Sequence, residues 1–219
     1  MKAKSKKETV NENVSEPKKS GFEGTHERIL EKALETFAKS GFKGATTREL
    51  AAAAGVSEVT LYRHFESKEA IFKEIAKRYT ILPVLENIPA DIFLKPLNEK
   101  LKYITECFFK IFRERSSVMR VMLAEALINK EQAKMMFENI PMKVIDVISK
   151  LLEREIAAGK VKKLDSKIIA RLFLGLLFSY NMFNEMLYGK EYERFDEGVV
   201  AETLVEVYLK GIETEAKKR

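Results

Sequence analysis

The segment spanning residues 47–65 constrains the fold more than any other part of the chain. It holds two short stretches of helical pattern on either side of Gly55. Two short helices can cross at a steep angle when the first has a small residue at the crossing, a glycine permits the tight turn, and an apolar residue of the second fills the gap. Ala51, Gly55 and Leu61 take these places, at the fifth, ninth and fifteenth positions counted from Thr47. This spacing predicts a helix-turn-helix.

The composition favours a largely helical, all-α protein. The chain has 219 residues, of which 46% are hydrophobic and 33% charged, and this is enough apolar material for one or two compact domains. Only 10 Gly and 5 Pro leave few of the turns that a many-stranded β fold needs. The longest apolar run, residues 172–180, is far shorter than the roughly 18 residues of a membrane span, so we expect no membrane contact. The single cysteine, Cys107, leaves no intramolecular disulfide, and we expect a cytoplasmic protein.

Helix signals flank the predicted helix-turn-helix on both sides. A first helix is expected over residues 25–40, with Gly41 as the residue of positive φ that ends it. Thr46 and Glu49 have the spacing of a capping box, in which each side chain bonds to the other residue's amide. The N-cap residues expected for the two following helices are Ser57 and Ser67.

The second helix of the predicted motif has small side chains at its amino end, as entry into the major groove requires. Glu58 can accept a hydrogen bond from cytosine N4, and Val59 or Thr60 can contact a thymine methyl. Arg63 can bind guanine or phosphate. Groups suited to phosphate contacts are Thr47, Tyr62, His64 and Lys68. A helical hairpin inside an all-α protein that does not bind DNA is the alternative interpretation.

These residues resemble the amino-terminal domain of the TetR family of transcriptional regulators. The resemblance covers about residues 25–72 and rests on TTRELA at 46–51, GVS at 55–57, LYRHF at 61–65 and SKE at 67–69. It implies an all-helical, homodimeric DNA-binding protein under ligand control, usually a repressor. By position, it implies contacts with bases or the DNA backbone for Thr47, Arg48, Glu58, Val59, Thr60, Tyr62, Arg63, His64 and Lys68.

The chain is expected to have three parts. Residues 1–23 are predicted to be a flexible basic arm, residues 24–80 the helix-turn-helix domain, and residues 81–219 a ligand-binding and dimerisation domain. A connecting helix from about residue 68 to residue 80 joins the two domains. Residues 1–80 hold 16 Lys and Arg against 12 Asp and Glu, a positive balance that suits contact with nucleic acid. Long helices are expected over residues 96–115, 116–129, 141–158, 165–188 and 196–212.

An effector cavity is expected within residues 81–219. Seven of the eight Met residues lie between positions 119 and 186, among many Phe residues, and both side chains adapt well to apolar ligands. A helical core without a cavity is the alternative. The predicted effector contacts are Tyr103, Phe108, Phe112, Met122, Phe137, Phe173, Leu177, Tyr180 and Asn181. These residues include no cluster of Arg or Lys, so we expect a small apolar or amphipathic effector.

The last two long helices suggest a dimer interface. Residues 168–178 are apolar around nearly the whole helix, which predicts burial on more than one side. A second apolar face comprises Val199, Val200, Thr203, Leu204, Val207 and Tyr208. Two helices from each subunit would form a four-helix interface, which the resemblance also implies. Burial within a single subunit is the alternative.

The sequence offers little chemistry for catalysis. The two histidines, His26 and His64, have no partners at metal-ligand spacing, and no GxSxG, HExxH or Gly-rich phosphate loop is present. We therefore expect no catalytic residue, metal ion or cofactor. The predicted function is a repressor that leaves an inverted-repeat operator when it binds its effector. The remaining alternative is a helical scaffold or adaptor that binds protein partners and does not recognise DNA.

Overall fold

A computed structural model describes residues 21–214, and in this range the chain forms twelve α-helices and no β-strand. The first four are α1 (Gly21–Gly44), α2 (Thr47–Ala53), α3 (Glu58–His64) and α4 (Lys68–Arg78). The others are α5 (Leu82–Glu86), α6 (Ala90–Leu94), α7 (Leu97–Glu114), α8 (Ser116–Ile128), α9 (Lys130–Asn139), α10 (Pro141–Ala157), α11 (Ser166–Asn181) and α12 (Glu197–Ile212). A π-helical turn, Met182–Met186, directly follows α11. The all-α prediction is confirmed.

Side-chain caps fix the ends of the short helices near the amino terminus. The Thr46 hydroxyl accepts a hydrogen bond from the Glu49 amide at 3.2 Å, and the Glu49 carboxylate accepts one from the Thr46 amide at 2.8 Å. This is the predicted capping box at the start of α2. Ser57 caps α3 and Ser67 caps α4 in the same way, each by accepting a bond from the amide three residues on.

The first helix is longer than its apolar pattern predicts. It begins at Gly21, so the last three residues of the predicted arm are helical, and the rest of that arm lies outside the described residues. At Gly41, φ is 69° and ψ is 167°, so this residue has the predicted positive φ and separates the main part of α1 from a short last turn. A further turn carries Phe42 into the core, and α1 ends at Gly44.

Two clusters of buried side chains hold the helices together. The amino-terminal core contains the buried residues of α1 to α4 together with Val118 and Met122 of α8. The carboxy-terminal core contains Ile81 and buried residues of α5, α7, α10, α11 and α12, together with Val161 and Met186. Helix α8 packs directly against α1, so it belongs to both halves of the molecule. The predicted domain boundary at residue 80 stays a prediction.

Most of the long carboxy-terminal helices lie where the sequence places them. The difference is at α11, which was expected to continue to residue 188 but ends at Asn181, where the π-helical turn begins. Tyr188 then adopts a left-handed conformation with φ of 60°. Helices α5, α6 and α9 were not predicted, because they are short and bury few residues each.

No helix within residues 21–214 combines the length and the apolar character that a membrane crossing requires.

Candidate DNA interface and effector cavity

Helices α2 and α3 cross where the sequence predicts. Ala51 and Leu61 are both buried at the crossing, and Gly55 has the φ of 64° that its place in the turn requires. The Val56 amide donates to the Ala51 carbonyl at 3.0 Å and closes the turn. Arg28 of α1 adds a contact that the sequence did not reveal, because its Nε donates to the Ala54 carbonyl at 2.9 Å. The helix-turn-helix is thus fixed by backbone geometry.

One face of α3 is open to solvent. Val59 is 72% exposed and Tyr62 is 52% exposed, which are high values for apolar and aromatic side chains. Arg63 and Glu58 on the same helix, and Arg48 on α2, are also exposed. We call these five residues the α3 face. Five of the nine residues that the sequence predicts to contact DNA are thus exposed to solvent.

Glu58 has a partner within the protein. Its carboxylate accepts a hydrogen bond from the Thr47 hydroxyl at 3.0 Å, and the Tyr62 hydroxyl approaches the Thr47 hydroxyl at 3.5 Å. These contacts hold the acidic group between α2 and α3. Thr60, also predicted to face DNA, is half-buried, and its hydroxyl lies 2.9 Å from the Ser57 hydroxyl at the start of α3.

The structure does not place His64 or Lys68 on the α3 face. The His64 ring stacks on Phe22 of α1 with centroids 4.0 Å apart, and burial lowers its pKa. The Lys68 amine donates to the carbonyls of Phe42 and Ala45 at 2.8 and 2.9 Å. Lys68 thereby links the start of α4 to the end of α1. Phosphate contacts by these two residues stay predictions.

A cavity of about 440 Å³ lies among α7 to α11. Its wall is almost wholly apolar. It includes four of the nine predicted effector contacts, namely Phe108, Phe112, Met122 and Phe137. The main lining residues that the sequence analysis missed are Met119, Leu123, Met136, Ile140, Val144, Leu174 and Phe178. The Met-rich and Phe-rich composition therefore indicated the region of the cavity but not its full lining.

The other five predicted effector contacts do not line this cavity. Phe173 and Leu177 are fully buried in the carboxy-terminal core, because each residue of a helix is turned about 100° from the next and the cavity faces Leu174 and Phe178 instead. Tyr103 packs on the same core, and burial raises the pKa of its hydroxyl.

Tyr180 and Asn181 lie beside a second pocket of about 280 Å³ that has a polar, charged lining. The Tyr180 ring stacks on Phe109 at 5.3 Å, and the Asn181 amide donates to the Leu177 carbonyl at 2.8 Å. Ion pairs between Arg113 and Glu197 and between Lys190 and Glu185 compensate charges in this pocket.

Helix α8 connects the cavity to the helix-turn-helix. Met122 lines the cavity and is also buried in the amino-terminal core. Glu125, one turn further on, is 3% exposed, and its carboxylate accepts a hydrogen bond from the Phe42 amide of α1 at 2.9 Å. The carbonyl of Phe42 accepts from Lys68. A continuous set of contacts therefore runs from the cavity wall to the helix that follows α3.

Exposed apolar residues form stripes on the last two helices. Ile168, Leu172 and Leu176 are spaced by four residues on α11, and Val199 and Val207 are exposed on α12. The apolar face predicted on α12 is divided in the structure, because Tyr208 is buried and donates to the Ile169 carbonyl at 2.8 Å. Leu204 is half-buried against the core.

No group of three or more His, Cys, Asp or Glu side chains within residues 21–214 is arranged to hold a metal ion.

Comparison with known families identifies the family of the chain. A model described as bacterial regulatory proteins of the tetR family matches residues 29–75, and a model of the AefR-like transcriptional repressor carboxy-terminal domain matches residues 99–211. The chain belongs to the TetR family. As a TetR-family protein, it is a DNA-binding transcriptional regulator and not an enzyme.

Individual relatives agree with this assignment to the TetR family. The uncharacterised HTH-type transcriptional regulator YerO of Bacillus subtilis is 30% identical over 169 residues, which are 75% of this chain and 57% of YerO. This chain thus matches less than two thirds of the length of YerO.

Solved structures show the same fold. A TetR-family regulator from Mesorhizobium loti has a TM-score of 0.71 at 19% identity, over 90% of this chain and 100% of that chain. FadR from Bacillus subtilis, solved in complex with stearoyl-CoA, has a TM-score of 0.71 at 22% identity, over 85% of this chain and 99% of that chain.

Proposed function

We propose that the protein is a homodimeric repressor that binds an inverted-repeat operator through α3 and leaves it when a small apolar or amphipathic effector fills the cavity. The observation that carries the proposal is that Met122 of α8 lines the cavity and is also buried in the core of the helix-turn-helix half. A molecule that displaces this wall must act on the DNA-binding half as well. We place this activity in the cytoplasm.

DNA recognition is assigned to the α3 face. Val59 and Arg63 are exposed and are assigned to base edges, and Arg48 and Tyr62 are assigned to the phosphate backbone. Selection of bound sequences from a random duplex pool at moderate salt should return an inverted repeat with half-sites about one duplex turn apart. Equal affinity for selected and scrambled duplexes across a salt series would contradict sequence-specific recognition.

The dimer is assigned to the stripes on α11 and α12, covered by the same stripes of a second copy. Two helices from each subunit would bury these apolar side chains together. Leu172→Glu should give a monomer or an aggregate in light scattering, because it places an unpaired charge in an apolar interface. The matched control is Leu94→Glu, since Leu94 is 88% exposed on α6 and belongs to neither stripe. A dimeric Leu172→Glu protein would argue for another interface.

Effector control is assigned to α8 and α4. Thr80, two residues after the end of α4, lines the cavity, and Lys68 at the start of α4 contacts the end of α1. The fold relative FadR binds stearoyl-CoA, which carries a long apolar chain, and this supports an effector with an apolar body.

Thermal-shift screening should find ligands that weaken operator binding, and by reciprocity the operator should weaken ligand binding by the same factor. A ligand that occupies the cavity yet leaves operator affinity unchanged would contradict effector control.

A further inference from the structure

The effector cavity contains two polar side chains among its described lining residues, Thr80 and Arg171. Thr80 is 4% exposed, and its hydroxyl has no hydrogen-bond partner within the protein. Buried hydroxyls in folded proteins are normally paired, so this one marks a place where a ligand can supply the missing partner. The cavity therefore offers a ligand one unpaired hydroxyl in a wall that is otherwise almost wholly apolar.

Arg171 carries the only charge on the described wall of the cavity. It lies on α11, and its guanidinium carbon is 5.6 Å from the centroid of the Phe137 ring, which also lines the cavity. Among residues 21–214, no carboxylate forms an ion pair with Arg171. The second pocket differs in this respect, because its Arg113 is paired with Glu197 and its Lys190 with Glu185. Arg171 is also exposed to solvent, so the effector cavity combines an apolar wall with one positive charge that is open to water and has no carboxylate partner among the described residues.

We propose that the effector is an amphipathic organic acid whose single carboxylate pairs with Arg171 while its apolar body fills the cavity. This inference rests on the proposed function, because it takes the cavity as the effector site. The planar guanidinium suits a carboxylate, to which it can donate two parallel hydrogen bonds. An amine would be repelled, and a neutral ligand would gain no ion pair with Arg171.

A ligand with several phosphate groups does not fit the wall of this cavity. Binding of a polyanion calls for several cationic groups, and the described lining offers Arg171 alone. The inference therefore separates a free carboxylic acid from its coenzyme A thioester, in which the carboxylate is replaced by a neutral thioester and the phosphates lie elsewhere in the molecule.

The test is calorimetric binding of three probes to the full-length protein, below the concentrations at which the probes form micelles. The probes are dodecanoic acid, dodecanol and dodecanoyl-CoA, which share one chain length. Dodecanoic acid should bind about ten-fold more tightly than dodecanol and more tightly than the thioester. Arg171→Gln should remove the preference for the acid over dodecanol. Arg154→Gln is the matched control, since Arg154 is exposed on α10 and does not line the cavity.

The outcomes separate this inference from the proposed function. Equal binding of acid and alcohol, or a preference for the acid that survives Arg171→Gln, would overturn the inference. Tighter binding of the thioester, or no binding of any probe, would overturn it as well. If the acid binds through Arg171 but operator affinity stays unchanged, the inference about the ligand holds and effector control by this cavity fails.

Discussion

The helix-turn-helix and the cavity among α7 to α11 depend on the sequence in different ways. The first depends on backbone geometry, with Gly55 at positive φ, Ala51 at a close crossing and Thr46 in a capping box. Few residue types satisfy each of these demands. The cavity depends on space that apolar side chains leave unfilled, and many combinations of apolar residues can enclose such a space. The two regions should therefore respond differently to the same substitution.

The largest expected difference comes from removing a leucine side chain in each region. Leu61→Ala should cost about 2–5 kcal/mol of unfolding free energy, because Leu61 is fully buried at the crossing of α2 and α3. Leu123→Ala should cost about 1 kcal/mol, because Leu123 is half-buried and already borders empty space. Urea unfolding at one fixed protein concentration measures both values.

An equal decrease in unfolding free energy for the two alanine variants would contradict the expected difference between the regions. They would indicate that the cavity wall is packed as tightly as the helix-turn-helix. Operator binding at a temperature where both variants stay folded provides an independent check, since only Leu61→Ala should change it directly.

The next prediction concerns Glu125, which joins the two regions. Glu125→Ala leaves the Phe42 amide without its acceptor and should cost about 1–3 kcal/mol. Glu125→Gln keeps an amide oxygen in place and should cost less than about 1 kcal/mol. Urea unfolding again measures stability, and operator release by the effector measures coupling. An alanine variant with wild-type stability and normal release would show that this contact does not connect the regions.

The sequence predicted the amino-terminal half well because its signals are local. Thr46 and Glu49 lie three residues apart, and the residues of the α2–α3 crossing lie within one short segment. The motif alone did not show which predicted DNA contacts are exposed, since His64 and Lys68 fit the motif but turn towards α1. Contacts between distant parts of the chain decided their orientation. Phe22 is more than forty positions from His64, and no local pattern links the two.

The cavity could be located from the sequence but not described. Four predicted contacts line it, whereas Phe173 and Leu177 are apolar residues of the same helix that face the core. When a helix is apolar on nearly every side, its sequence does not show which residues face the cavity and which face the core. Glu125 was also missed, because a lone carboxylate in an apolar stretch does not reveal its partner.

A smaller effect is expected from two buried threonines. Thr80→Val should raise the unfolding free energy by about 1 kcal/mol, because it removes a buried hydroxyl that has no partner. Thr105→Val is the matched control and should lower it by about 0.5–1 kcal/mol, since the Thr105 hydroxyl donates to the Leu101 carbonyl at 2.9 Å. Destabilisation by both substitutions would show that the Thr80 hydroxyl is already satisfied.

The smallest expected effect is a pH dependence confined to the helix-turn-helix. The pKa values of His26 and His64 are lowered from 6.5, first by burial and then by nearby positive charge, from Arg78 for His26 and from His26 and Arg63 for His64. Glu74 opposes the shift for His26. Well above pH 6.5 both histidines are neutral in the folded and the unfolded chain.

As the pH falls through 6.5 and below, the unfolded chain binds protons that the folded chain does not, so stability is lost. Thermal unfolding should therefore begin about 2 °C lower at pH 5.5 than at pH 7.5. The double variant His26→Gln, His64→Gln should be less stable at both pH values, because it loses the ring contacts with Phe22 and Phe65, but it should show a smaller change with pH. Since the chain has no other histidine, an unchanged slope in this variant would assign the acid sensitivity to carboxylates elsewhere in the protein.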